Sequence, residues 1–159
     1  MKIVVLKFGG TSVADVPQIK KIALKIKVEV ELGNKVIVVV SAMSGVTNNL
    51  VDLVKNTSDL PPYSEYDAVL STGEQVTSAL LAIALEELNI KSRSWLGWQI
   101  PIVTDKTYGK SIIENIKTDN ISKDLKVNQV AIVAGFQGIS KENRITTLGR
   151  GGSDTTAVA

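Results

Sequence analysis

The chain has 159 residues, 44% of them hydrophobic, which is enough to bury the core of a single domain. Its net charge is +2 and its lysines are scattered, so we expect neither a nucleic-acid partner nor a membrane partner. It contains no cysteine and no histidine, which excludes disulfides, thiolate nucleophiles, cysteine-based zinc sites and the commonest general base. Any chemistry must use lysine, arginine, carboxylates, hydroxyls and backbone amides, and we expect no metal site built by the protein.

Strand and helix patterns alternate from the beginning of the chain. The β-branched run at 3–8 ends at two glycines and predicts a buried strand. Residues 16–32 carry apolar side chains at helical spacing, with Pro17 in the first turn, and predict a helix. Residues 35–40 predict a second strand, and a further helix is expected over about 47–56.

The second half is less regular. Residues 57–64 are proline-rich and predict a loop, whereas 76–88 are apolar on nearly every face and predict a buried helix. The stretch 91–125 suggests short strands, and 127–136 predicts a strand that meets a glycine. This order of elements favours an α/β fold with a largely parallel sheet. No apolar run is long enough to cross a bilayer and the strand pattern starts at residue 3, so we expect a soluble, cytoplasmic protein without a targeting segment.

The motif KFGGTS at 7–12 places a lysine at the end of the first strand, followed by two glycines and two hydroxyls. Glycines let backbone amides approach an anion, and a fixed ammonium stabilises charge on a transferred phosphoryl group. The motif is neither a Walker P-loop nor a dinucleotide-binding glycine motif. Taken alone, it therefore favours an ordinary strand-to-helix turn with a surface lysine.

Two further motifs follow a strand or open a helix. In SAMSGVTN at 41–48, Ser41 and Thr47 offer hydroxyls at the carboxyl end of a strand, where α/β sheets hold ligands. Helix capping is the more ordinary explanation for them. In STGEQ, Ser71 and Glu74 fit a capping box. Glu74 also shares a helical face with apolar residues near a positive helix start and could hold a cationic amine, and the pattern does not decide between the two.

The motif GRGGSD at 149–154 is the most suggestive of function. Arg150 offers a planar fork that suits a carboxylate, and the flanking glycines allow a ligand to approach closely. Ser153 or Asp154 could cap the helix that follows. Three glycines around one arginine gain little in a plain loop, so we interpret this motif as a binding site.

The four motifs together contain one lysine, one arginine, two carboxylates and several hydroxyls. The set suits a small zwitterionic ligand together with phosphate. It suits especially the phosphorylation of a carboxylate, because a carboxylate is ionised at neutral pH, with a reference pKa of about 3.9 for aspartate, and needs no base to act as a nucleophile.

In chain order, the motifs KFGGTSV, SAMSGVTN, STGEQVTSALLA, GWQ, VAGFQG and TTLGRGGSDTTA resemble the amino-terminal part of the aspartokinases, a family of amino-acid kinases. The resemblance covers the chain almost from end to end and is weakest at 16–32 and 106–128. It implies a three-layer αβα sandwich with a mainly parallel sheet. It also implies the transfer of phosphate from ATP, with Mg²⁺, to L-aspartate, giving 4-phospho-L-aspartate for the synthesis of lysine, threonine, methionine and diaminopimelate.

The resemblance also implies roles for individual residues. Lys7 would stabilise the transferred phosphoryl group, and Arg150 would bind the α-carboxylate of aspartate. Glu74 and Asp154 would face its α-amino group, with Asp154 counted beside Lys7 as catalytic. The phosphate path would be lined by Gly9, Gly10, Thr11 and Ser12, and the aspartate site would include Ser41, Thr47 and Ser153.

One departure from the family pattern affects every expectation about activity. After GRGGSDTTA the family continues into a nucleotide-binding half and carboxy-terminal ACT regulatory domains, which are absent from these 159 residues. We therefore expect 1–159 to be the amino-terminal, amino-acid-binding part of a kinase domain, incomplete at its carboxyl end, with an apolar sheet face left exposed. Alone it is expected to be inactive, and to form a homo-oligomer or assemble with the missing half.

A different class of protein stays open as the alternative. The chain could be a non-catalytic fragment that binds an amino acid, or the product of a split gene that needs a separate nucleotide-binding half. Kinases of glutamate, acetylglutamate and uridylate are disfavoured, because STGEQVTS and GRGGSDTT are not their motifs.

Overall fold

The computed structural model describes residues 2–159, and within them eight strands and six helices follow one another along the chain. The strands are β1 (Ile3–Phe8), β2 (Lys35–Val40), β3 (Ser92–Trp95), β4 (Ile102–Thr104), β5 (Ile113–Ile116), β6 (Val130–Ala134), β7 (Gln137–Ser140) and β8 (Ile145–Thr147). The helices are α1 (Val16–Glu31), α2 (Val46–Thr57), α3 (Tyr63–Leu70), α4 (Thr72–Glu86), α5 (Asp119–Asp124) and α6 (Gly152–Val158). The strands predicted at 3–8 and 35–40 are confirmed, and the first two predicted helices agree within one residue.

Two four-stranded sheets form the framework. The first, sheet A, is parallel throughout in the order β1-β2-β6-β3, and it confirms the predicted parallel sheet. The second, sheet B, has the order β5-β4-β7-β8, with β4 and β7 parallel and the two outer pairs antiparallel. The hairpin of β7 and β8 was not predicted, because strands of three or four residues show too little alternation to recognise.

Alternating residues of the central strands contribute to two cores. In β2, Val36, Val38 and Val40 join the core beneath α1 and α4, whereas Val39 faces the other side of sheet A. The second core includes Ile121 of α5 together with residues of β4. Helices therefore cover sheet A on both faces, as the αβα expectation requires.

The face of sheet A opposite α1 and α4 is only partly covered. Ile3 and Val5 of the edge strand β1 are 57% and 50% exposed. An apolar groove extends from Val5 to Val158 at the end of α6. Parallel sheets are normally buried on both faces, so the apolar surface left open at this edge is unusual for such a sheet.

The helices α3 and α4 form one nearly continuous helical segment, Tyr63–Glu86. The capping-box alternative for Ser71 is excluded, because its side chain makes no cap hydrogen bond to α4 and its hydroxyl donates instead to the carbonyl of Ala68. The expectation of a helix that is buried on nearly every face is wrong, since Val76 and Ile83 are exposed. Polar side chains occupy part of the buried face instead.

The segment Tyr63–Glu86 is the one helix within residues 2–159 that is long and apolar enough to cross a membrane, with a mean hydropathy of 1.4. The core helix of a soluble protein has the same length and composition, so this property is a weak indication. Here α4 packs against α1, β3 and β6, and the segment buries the carboxylates Asp67 and Glu74. These contacts place the segment within the packed core of the described residues.

Candidate functional site

A cavity of about 500 Å³ lies where the carboxyl ends of β1 and β2 meet the start of α6. Its position follows from the parallel sheet, because neighbouring parallel strands end at the same edge. All four sequence motifs reach it, although they are far apart in the chain. The sequence-indicated residues that line it are Lys7, Gly9, Gly10, Thr11, Ser41, Thr47, Glu74, Arg150, Ser153 and Asp154.

The ammonium group of Lys7 forms an ion pair at the cavity. Its Nζ lies 2.8 Å from Oδ1 of Asp154, and the lysine side chain is 30% exposed. A Cβ atom at Gly9 would lie 3.3 Å from this Nζ, so the glycine leaves room for the ammonium. The sequence alone favoured a surface lysine here, whereas the structure holds Lys7 in place with a carboxylate from the far end of the chain.

The rest of the first motif divides into residues that line the cavity and one that does not. A Cβ atom at Gly10 would lie 3.1 Å from the carbonyl oxygen of Ala42, so this glycine lets two loops approach closely. Thr11 is exposed at the cavity. Ser12 lies outside the lining, and its N–H donates to the carbonyl of Gly9. The expected phosphate contact of Ser12 therefore has no support in the geometry.

Glu74 is the most unusual group in the cavity. It is only 4% exposed, and its Oε1 accepts a hydrogen bond of 3.0 Å from the backbone N–H of Ala42. Its Oε2 is buried and has no hydrogen-bond partner within residues 2–159. Burial raises the pKa of Glu74 to about 7, and the hydrogen bond from Ala42 only partly opposes that rise.

The residue before Glu74 explains how the carboxylate reaches Ala42. A Cβ atom at Gly73 would lie 2.8 Å from the Cβ of Ala42, closer than side chains normally approach. The glycine therefore lets α4 pack directly on the loop after β2. The motif STGEQ thus places its carboxylate in the cavity rather than using it as a helix cap.

The loop around Arg150 depends on its glycines. Gly149 and Gly151 have φ angles of 78° and 74°, in the left-handed region where other residues are strained. A Cβ atom at Gly152 would lie 2.8 Å from the ring of Phe136, so α6 starts tightly against that ring. Arg150 lines the cavity, and its guanidinium forms no ion pair with any residue of 2–159. Arg150 is exposed, so its planar guanidinium is accessible to a carboxylate from solution.

The side chains at the start of α6 do not cap the helix. The N-cap position is Gly151, and it receives no side-chain cap. Ser153 is buried against Gly135, where a Cβ atom would lie 2.7 Å from the serine Oγ. Asp154 pairs with Lys7, which is a different partner from the ligand amine that the resemblance implied for it.

Hydroxyls also line the cavity, together with residues that the sequence did not indicate, among them Ala42 and Phe136. Ser41 and Thr47 are both half-buried at the lining, in the loop after β2 and the first turn of α2. Ala42 contributes the backbone N–H that holds Glu74. Phe136 lines the cavity with an unusual φ of 69° for a residue other than glycine. The signal that could have indicated Phe136 is its place after a strand and a glycine in VAGF.

The cavity is lined by two basic and two acidic side chains. Lys7 and Asp154 neutralise each other at one side, whereas Glu74 and Arg150 each lack a charged partner within residues 2–159. A ligand with both an ammonium and a carboxylate would supply the two missing partners. Within the same residues, no group of three acidic side chains could hold a metal ion.

The fold and the cavity together define an α/β protein with a cavity lined by both cationic and acidic side chains. A profile of the amino acid kinase family matches residues 2–159. The chain therefore belongs to the amino acid kinase family.

Individual relatives of this chain are named aspartokinase, which is narrower than the family. The aspartokinase of Rickettsia felis is 56% identical over 160 residues, covering 99% of this chain and 40% of that protein. The aspartokinase of a Bacillus species is 52% identical over 159 residues, covering 100% of this chain and 39% of that protein. The chain thus spans about two fifths of the length of these relatives.

Solved structures share the fold. The crystal structure of aspartate kinase from Synechocystis matches with a TM-score of 0.82 and 45% identity, over 100% of this chain and 26% of that one. Aspartokinase III of E. coli, in complex with aspartate and ADP, matches with a TM-score of 0.84 over 99% of this chain and 45% of that one. At 22% identity, this second match is a likeness of fold alone.

Proposed function

We propose that this chain provides the aspartate-binding and phosphoryl-stabilising side of an aspartate kinase, which forms 4-phospho-L-aspartate from L-aspartate and ATP. The observation that carries the proposal is the buried, unpartnered Oε2 of Glu74 in the same cavity as Arg150 and Lys7. An α-ammonium would satisfy Glu74, and an α-carboxylate would satisfy Arg150. The relatives named aspartokinase support the choice of aspartate.

The proposed reaction needs no general base. The β-carboxylate of aspartate is ionised near neutral pH, and one of its oxygens attacks the γ-phosphorus of ATP. An oxygen–phosphorus bond forms to the aspartate, and the bond between the γ-phosphorus and the bridging oxygen breaks, so that ADP leaves with the electron pair. Lys7 stabilises the charge that develops on the transferred group, and Asp154 orients its ammonium.

The described residues fit the phosphoryl end of ATP but not a metal site. Lys7 supplies the cation, and Gly9 and Gly10 leave the loop backbone open to the cavity. Mg²⁺ prefers oxygen ligands, and the carboxylate of Asp154 is already paired with Lys7. We therefore assign no step to a metal, and we place the Mg²⁺ and most ATP contacts of the proposed enzyme outside these residues.

The wider role proposed from the relatives is biosynthetic. Aspartyl phosphate would enter the synthesis of lysine, threonine, methionine and diaminopimelate, in the cytoplasm, with the protein working as a homo-oligomer or with further chain packed on it. The partly exposed apolar face beside Ile3 and Val5 supports such an assembly.

The test is ATP-dependent formation of acyl phosphate by the complete gene product, trapped with hydroxylamine and measured as the hydroxamate. L-aspartate should give product, and L-glutamate, one methylene longer, should give far less. Product from glutamate but not from aspartate would contradict the proposal.

The second candidate is a chain that binds an amino acid without catalysing phosphoryl transfer. It is favoured by the cavity lining, which has the acidic and cationic side chains that an amino acid needs but, within residues 2–159, no group of three acidic side chains that could hold a metal ion. For the 159 residues alone we expect no hydroxamate above background and no measurable ATP affinity. Calorimetry then measures whether they bind L-aspartate, as this candidate requires. Turnover by the isolated chain that disappears in Lys7→Ala would show that these residues hold a complete active site.

A further inference from the structure

A second buried carboxylate lies outside the cavity, on α3. Asp67 is fully buried, with a relative exposure of 0%. Its Oδ2 accepts hydrogen bonds from the backbone N–H of Gly109, at 3.0 Å, and of Thr147, at 2.8 Å. Its Oδ1 accepts a third, at 2.9 Å, from the hydroxyl of Thr147. One carboxylate thus ties α3 to β8 and to the loop after β4.

Both partners of Asp67 lead directly to the Arg150 loop. Thr147 is the last residue of β8, three positions before Arg150. Gly109 packs closely against the same loop. A Cβ atom at Gly149 would lie 3.2 Å from the carbonyl oxygen of Gly109. The Asp67 carboxylate therefore fixes the strand end from which Arg150 extends and also the loop against which Gly149 packs.

Asp67 and Glu74 belong to the same helical segment, Tyr63–Glu86. They are seven residues apart, which is about two helical turns, so both lie on the same face. Both are buried, in agreement with this spacing. One helical segment, formed by α3 and α4, therefore carries the carboxylate at the proposed amine site and also the anchor of the loop at the proposed carboxylate site.

We infer that Asp67 is a positioning residue, which sets the separation between Arg150 and Glu74 and thereby the fit of the cavity to an α-amino acid. The inference rests on the proposed function. Asp67 has no contact with the ligand, because it lies outside the cavity lining. Its effect on binding must pass through Thr147, Gly109 and the glycines around Arg150.

The test compares variants of the complete gene product by steady-state kinetics. Asp67→Ala leaves two buried backbone N–H groups without an acceptor, and we expect KM for L-aspartate to rise on the order of tenfold. KM for ATP and kcat at saturating aspartate should stay within about twofold, because Lys7 is untouched. Asp67→Asn should restore KM, since its amide oxygen can accept both N–H groups and its amide nitrogen can donate to the hydroxyl of Thr147.

Two controls separate positioning from loss of stability. Glu65→Ala breaks the exposed ion pair between Glu65 and Arg144, which also joins α3 to the β7–β8 hairpin, and should leave KM unchanged. Thr104→Ala removes the buried hydrogen bond to Thr146 in sheet B and should lower the melting temperature without changing KM. A rise in KM in these controls equal to that in Asp67→Ala would overturn the inference.

A double-mutant cycle tests whether Asp67 acts through Arg150. In an Arg150→Lys background, Asp67→Ala should cause little further change in KM, because the guanidinium that Asp67 positions is already absent. Full additivity would overturn the inference. If Asp67→Ala does not fold, Thr147→Val, which removes only the third hydrogen bond, should raise KM by about threefold, and an unchanged KM would count against it.

The outcomes also distinguish this inference from the proposed function. Absence of aspartyl phosphate formation by the wild-type gene product would overturn both. The wild-type gene product could be active, with Arg150→Lys raising KM for L-aspartate strongly and Asp67→Ala leaving it unchanged. That result would leave the proposed function intact and overturn only the role of Asp67.

Discussion

Two regions of the molecule each hold one buried carboxylate of the segment Tyr63–Glu86, and their surroundings differ sharply. At the β7–β8 hairpin, the carboxylate of Asp67 accepts three hydrogen bonds, and both of its oxygens are occupied. At the cavity, Glu74 accepts one hydrogen bond from Ala42, and its Oε2 has no partner within residues 2–159. Burial raises the pKa of both groups, and only at Asp67 do three donors to the carboxylate oppose the rise.

The difference distinguishes a carboxylate whose hydrogen bonds join α3 to β8 from one that has a buried oxygen free in the cavity, where we propose that a ligand ammonium binds. A buried polar group without a partner costs about 1–3 kcal/mol. The Oε2 atom of Glu74 has no protein partner within residues 2–159, and the proposed ammonium ligand would supply one. The comparison therefore predicts that variants in the cavity change catalysis and binding, whereas matched variants elsewhere change neither.

The largest effect is expected for Lys7→Ala in the complete gene product. Loss of a cation that stabilises the moving phosphoryl group should lower kcat by about 10²–10³-fold. KM for aspartate should change little, because the proposed role of Lys7 is to stabilise the transition state. Lys27→Ala, which removes an exposed lysine paired with Glu31 on α1, is the matched control and should leave kcat unchanged. If the folded fraction of Lys7→Ala keeps full turnover, the proposed catalytic role of Lys7 is wrong and its role is structural.

Arg150→Lys should have the next largest effect. An ammonium cannot reproduce the planar fork, and loss of one charge-assisted pair costs about 1.5–3 kcal/mol. That cost corresponds to a rise in KM for aspartate of about 10- to 100-fold, with KM for ATP nearly unchanged. The control is Arg144→Lys, outside the cavity, where Arg144 pairs with Glu65. Normal KM and turnover in Arg150→Lys would remove the carboxylate-binding assignment.

The smallest effect, and the sharpest test of the comparison, is the pH dependence at Glu74. Its folded-state pKa of about 7 lies above the ordinary value of 4.5, so the folded state binds this proton more tightly than the unfolded state. The stability that results is fully present below about pH 4.5 and is lost as the pH rises through about 7. The free protein should therefore be less stable at about pH 8 than at about pH 5, by on the order of 2 kcal/mol from this group.

Glu74→Gln should remove most of that slope, and thermal melting at the two pH values measures it. L-aspartate should bind more tightly to the wild type as the pH rises through about 7, because the ammonium pairs with the ionised carboxylate. Calorimetry detects this without interference from the titration of ATP. Glu86→Gln, at the far end of α4, should keep the wild-type slope. An unchanged slope in Glu74→Gln would mean that another group titrates.

Local patterns in the sequence were sufficient to predict β1, β2 and β6 of sheet A and the two early helices, whereas β3 lies in the stretch 91–125, where short strands were expected without bounds. Val36 to Val40 form a continuous β-branched run, and α1 has apolar residues at helical spacing, so neither depends on distant contacts. Sheet B could not be predicted in this way, because β7 and β8 are short and acquire their register by pairing with each other. The motifs for the site were also visible in the sequence, and the structure brings all four to one cavity, with Ser12 as the exception.

The sequence by itself determined the exclusions of chemistry, the parallel α/β core and the residue types available for binding a charged amino acid. These depend on composition and on spacing within about ten residues, which the chain displays directly. Only the tertiary structure decided that Lys7 pairs with Asp154, that Glu74 has a buried oxygen without a partner and that Asp67 holds the Arg150 loop. The physical reason is that these properties arise from desolvation and from contacts between residues 32 to 147 positions apart, as in Ala42 with Glu74 and Lys7 with Asp154.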